Sequence, residues 1–122
     1  MLKTNLIITE LENKKNRSAW DKGVNLYALE LLEYIDEVPT NTKELERVLL
    51  NGADTWEQFS WGGCSLIYNQ DIAERLCTPS ELKKTRNGER RPNNHEEWLD
   101  TQARALFQAC NRIKKTVRAL TA

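Results

Sequence analysis

Apolar positions recur at helical spacing along most of the chain. Trp20, Val24, Tyr27, Leu31, Tyr34 and Val38 follow one another at intervals of four and three residues, and Leu26, Leu32 and Ile35 widen the stripe. Ser18-Ala19-Trp20-Asp21 has the form of a capping box with Asp in the Glu position, and Pro39 cannot continue a helix. The pattern predicts a helix from Ser18 to Val38. Asn41 with Glu44 opens a second, carried by Leu45, Val48 and Leu49 and closed by Asn51-Gly52, a pair suited to a left-handed cap. Asp54 to Glu57 then starts a short aromatic helix, broken at Gly62-Gly63. Leu66, Ile67, Ile72, Ala73 and Leu76 supply the next helix, ending near Cys77.

Thr78-Pro79-Ser80-Glu81 reads as a cap, a first-turn proline and a box glutamate, which predicts a helix lasting to Arg86. Asn87-Gly88 is a turn pair. Asn94 with Glu97 opens the last helix, whose seam Leu99, Ala103, Leu106, Cys110, Ile113, Val117 and Leu120 runs 4-3-4-3-4-3, broadened by Trp98 and Phe107. Such a seam packs within a small domain or pairs two copies, so monomer and homodimer both stay open. Residues 1–17 are weakly patterned: Leu2, Leu6 and Leu11 suit a frayed helix, Leu6 to Thr9 a short strand. The expected architecture is all-α: one compact domain of five or six helices over residues 1–122, with a long C-terminal helix.

Composition sharpens this picture. A chain of 122 residues suits one domain with a real core. The net charge is zero, yet residues 1–60 carry 7 Lys/Arg against 11 Asp/Glu, and residues 61–122 carry 11 against 7. The halves therefore carry −4 and +4, able to pair internally or to present a basic face to an acidic partner. Three cysteines without a close pair argue against a disulfide framework and for a reducing compartment. Leu6-Ile7-Ile8 is too short for a signal-peptide core, and no stretch approaches a membrane span, so a cytoplasmic location is expected.

The main candidate for binding is the segment from Lys83 to Arg91. Lys83, Lys84, Arg86, Arg90 and Arg91 place five cations against one anion, Glu89, within nine residues. Clustered cations at a turn are what phosphate contacts require, and solvated surface charge is the plain alternative. Arg112, Lys114, Lys115 and Arg118 form a second basic set on the last helix. Trp56, Phe59, Trp61 and Tyr68 read first as core; Trp61 and Tyr68, flanking the Gly-Gly turn, read alternatively as a protein-binding contact. Gly62-Gly63-Cys64-Ser65 has the outline of a catalytic elbow, but His95 is the only histidine available as its base. Cys64, Cys77, Cys110 and His95 number four, as a zinc site would need, at spacings that lack close pairs. No Gly-rich phosphate loop or hydrolase motif occurs, so no catalytic residue, metal or cofactor is expected.

Arg17-Ser18-Ala19-Trp20-Asp21-Lys22-Gly23, Trp61-Gly62-Gly63-Cys64-Ser65 and Cys77-Thr78-Pro79-Ser80-Glu81-Leu82, read together, resemble small proteins without an assigned activity carried by phages and conjugative elements of gut-dwelling Firmicutes. The resemblance spans nearly the whole chain and brings no catalytic residues with it. It implies a context rich in small inhibitors of host defence, including anti-CRISPR and antirestriction proteins. The expected role is thus non-enzymatic: an interaction protein that binds a host protein or nucleoprotein complex, a defence nuclease among them. The alternatives are direct DNA or RNA binding through residues 83–91 and, more distantly, a Cys64-dependent enzyme.

Overall fold

The computed structural model describes the backbone of residues 1–33, 35–61, 70–88 and 90–122, and the side chains within those ranges apart from 52–61, 70 and 95. The elements run β1 (Leu2–Lys3), α1 (Thr4–Glu12), α2 (Ala19–Leu32), β2 (Glu37–Val38), α3 (Thr42–Trp61), α4 (Gln70–Leu76), a 3-10 turn (Pro79–Glu81), β3 (Leu82–Lys84), β4 (Arg90–Pro92) and α5 (His95–Thr121). The protein is mostly helical but not all-α, because two small antiparallel sheets, β1–β2 and β3–β4, accompany the helices.

The first sheet corrects the expected reach of α2. Ser18 caps that helix as anticipated, its Oγ accepting from the Asp21 N–H at 3.1 Å. The helix stops at Leu32, however, six residues short of Val38. Leu2 pairs with Val38 and Lys3 with Glu37, while the Thr4 N–H donates to the Asp36 carbonyl at 2.9 Å. The Thr4 hydroxyl reaches the carbonyls of Ile35 and Asp36, so a strand pairing holds backbone groups that a longer helix would have used. Val38 is still fully buried, and its apolar character therefore fitted either conformation. Residues 4–12 form α1, with Ile7 and Leu11 buried and Leu6 exposed.

α3 corrects a second expectation. Asn41 Oδ1 accepts from the N–H groups of Lys43 and Glu44, the anticipated cap. The helix then continues through Asn51-Gly52 to Trp61 as one element rather than two. An interior glycine costs a helix only about 1 kcal/mol relative to alanine, too little by itself to end it. Leu45 and Leu49 are buried on its described face.

α2, α4 and α5 meet in the core, formed by Val24, Tyr27, Ala28, Ile72, Ala73, Trp98, Ala105, Ala109, Ile113 and Val117 among others. α2 and α4 pack so closely that a Cβ on Gly23 would lie 2.7 Å from Leu76 Cδ2 and 2.9 Å from its Cγ. α5 starts at Asn94, whose Oδ1 accepts from the Glu97 N–H at 3.1 Å. Its buried side is Trp98, Thr101, Gln102, Ala105, Ala109, Cys110, Ile113 and Val117. The seam holds in the second half, but Leu99 and Ala103 are exposed, as is Phe107 at 67%. The first half has turned so that polar Thr101 and Gln102 face inward. Among the described residues no helix is long and apolar enough to cross a membrane.

Candidate functional site

Residues 82–92 form a β-hairpin where a helix followed by a loop was expected. Leu82 pairs with Pro92, Lys83 with Arg91 and Lys84 with Arg90. The connecting turn closes through the Gly88 N–H donating to the Thr85 carbonyl at 3.0 Å. Gly88 has φ of +81°, a backbone state that glycine adopts without penalty. The Asn87-Gly88 pair thus does make a turn, inside a hairpin.

The box at Thr78 was legible but caps only the single turn Pro79–Glu81. Glu81 Oε1 accepts from the Thr78 N–H at 2.9 Å and from its hydroxyl at 2.8 Å. These bonds, the backbone one foremost, hold the Glu81 carboxyl below its ordinary pKa. Asn93 then clamps the two ends of the hairpin together. Its N–H donates to the Glu81 carbonyl at 2.9 Å and its side-chain amide to the Ser80 carbonyl at 2.7 Å. Sequence reading passed over Asn93, for which the only signal was an amide beside a proline. Leu82 packs against the core, so the hairpin is rooted at its Leu82–Pro92 end.

Beyond that root the hairpin is cationic on both faces. Residues directly opposite in an antiparallel pair share a face, and successive residues alternate. Lys83 and Arg91 therefore stand together on one face, and Lys84 and Arg90 on the other. All four are exposed, as is Arg86 in the turn. The structure brings all five expected binding cations into one element. Each strand cation has another cation directly across from it, an arrangement that weakens a hairpin unless an anion lies between or beside the pair.

The second basic set does not assemble in this way. Arg112 Nη1 lies 3.0 Å from Asn16 Oδ1, 3.1 Å from the Asp21 carbonyl and 3.3 Å from Asn25 Oδ1, and its Nη2 lies 3.0 Å from Asp21 Oδ1. Lys114 pairs with Glu46 at 3.4 Å. Both cations are committed to the fold. Lys115 lines a groove of about 460 Å³ beside Lys14 at the end of α1. Burial, with Arg112 and Lys115 close by, lowers the pKa of Lys14.

Cys77 and Cys110 are buried free thiols, each pushed up to about 11 chiefly by burial. Such a rise makes each thiol a poor nucleophile at neutral pH. Among the described residues no group of three His, Cys, Asp or Glu is arranged to hold a metal ion. Cys64 and the His95 side chain lie outside those residues, as do Tyr68 and the Trp61 side chain; the backbone of Trp61 ends α3. Comparison with protein-family models, curated proteins and solved structures finds no match.

Proposed function

We propose that this is a binding protein rather than an enzyme, and that the β3–β4 hairpin engages a polyanion: a nucleic acid or a nucleoprotein complex. The observation that supports it is the register, which sets Lys83 against Arg91 and Lys84 against Arg90 on an exposed ribbon. Phosphates drawn to these exposed side chains would release their counterions. The resemblance to small mobile-element proteins supports a host nucleoprotein complex as the partner in the cell, including a defence nuclease together with its nucleic acid.

The test is binding of the purified protein to labelled duplex DNA, single-stranded DNA and RNA over a series of salt concentrations. Binding that falls with salt at a log–log slope of about −4 is expected if four to five phosphates are neutralised at about 0.9 per contact. The variant with Lys83, Lys84, Arg86, Arg90 and Arg91 all changed to Gln should lose that binding. No binding of the unaltered protein even at low salt would refute nucleic-acid contact, and undiminished binding by the variant would refute the hairpin as its site.

A further inference from the structure

The geometry points to entry of the β3–β4 hairpin into the major groove of duplex DNA. This deepens, and rests on, the reading of the hairpin as a polyanion contact. A basic segment lying flat against a phosphate backbone needs cations on one face only. Here Lys83 occupies one face, Lys84 and Arg90 the other, and Arg86 the tip, all exposed. Cations on opposite faces can be satisfied together only by anions on two sides, and the walls of a groove offer that.

The dimensions agree. From the rooted Leu82–Pro92 pair, β3 rises about 7 Å to Lys84 and the turn carries Arg86 beyond it, a reach comparable to the ~8.5 Å depth of the B-form major groove. That groove, ~12 Å wide, admits a two-stranded ribbon, whereas in a minor groove of ~6 Å two strands about 4.8 Å apart leave no room for their side chains. The major groove of an A-form RNA duplex is too narrow for side chains to read. The root is braced by the bonds of Asn93 to Glu81 and Ser80, so the ribbon enters preformed.

The experiment compares three proteins on a mixed-sequence DNA duplex, the RNA duplex of the same sequence, and the single DNA strand. The proteins are the unaltered chain, Lys83→Gln, and Lys84→Gln with Arg90→Gln; their unfolding curves establish that all three are folded. Groove entry expects both variants to lose affinity for the DNA duplex, with the salt slope reduced by about 1 and about 2 respectively. It also expects the unaltered protein to hold the DNA duplex at least tenfold more tightly than the RNA duplex or the single strand. If one face alone matters, or RNA duplex or single strand binds as well as duplex DNA, groove entry is wrong while the polyanion reading stands. If nothing binds with a salt dependence, that reading falls as well.

Discussion

Arg112 and Lys83 are both cations on regular elements, yet their surroundings could hardly differ more. Arg112 on α5 is largely buried and is met by Asn16, by Asp21 through carboxylate and carbonyl, and by Asn25. Lys83 is exposed on β3 and faces Arg91 across the ribbon. The first cation ties the α1–α2 connection and α2 to α5. The second makes no comparable tie to the body. A cation's role in the fold follows from the acceptors brought to it, and a fork with several acceptors is part of the architecture.

The contrast is open to direct attack. Arg112→Ala leaves three acceptor side chains without their donor and should lower the unfolding free energy by about 2–3 kcal/mol, read from urea denaturation. Arg112→Lys should recover only part of it, because an ammonium lacks the planar fork. A loss within about 0.5 kcal/mol, typical of surface changes, would erase the distinction from Lys83.

The buried thiols give the body a second signature that the hairpin lacks. Unfolded, Cys77 and Cys110 would ionise near their ordinary value of 9.0; folded, they ionise near about 11. The unfolded chain therefore loses these protons first, and the stability involved is intact below pH 9 and disappears as pH rises to about 11. The pair should account for about 2 kcal/mol across that window once relaxation is allowed for. Unfolding measured on either side of it, beside the Cys77→Ala, Cys110→Ala double variant, checks the sign: the variant should show the shallower alkaline decline.

Gly23→Ala probes the tightest contact between α2 and α4. Crowding against buried Leu76 should cost up to about 3 kcal/mol, of which alanine's better helix propensity returns about 1. A net loss of about 1–2 kcal/mol in thermal or chemical unfolding is expected, and a gain would mean that α4 moves away freely. The smallest effect on stability is expected from Lys83→Glu. Opposite Arg91, it should raise stability by a few tenths of a kcal/mol while weakening nucleic-acid binding. A variant that is more stable yet binds less would separate the hairpin's purpose from that of the body most clearly.

Where local chemistry decided the outcome, it could be read from the residues alone. Ser18, Asn41 and Asn94 each cap the helix they were expected to cap. Ile72, Ala73, Ile113 and Val117 are buried as their spacing implied. Distant partners decided the rest. Nothing within Glu33 to Val38 announces that Leu2 and Lys3 will pair with it. Asn51-Gly52 has the composition of a cap, but an interior glycine costs a helix only about 1 kcal/mol and the helix runs on. On α5, Leu99 was expected on the inner seam and is exposed, while Thr101 faces inward, because the neighbouring elements set the helix's rotation. The five cations between Lys83 and Arg91 were read as one cluster, and one hairpin carries them all. Their division between two faces was not read, since it depends on a strand register that a helical reading of Thr78 to Arg86 concealed.

α5 follows in the chain every element on which it packs. Arg112 reaches back 96 positions to Asn16, and Ile113 and Val117 close a core that α1 and α2 began. During synthesis α4 can already pack on α2, but the sides of α1 and α2 that meet α5 must wait for it. Until then the polypeptide is a client for chaperones and proteases, and a premature stop within this helix should yield fragments that are cleared rather than partly active proteins.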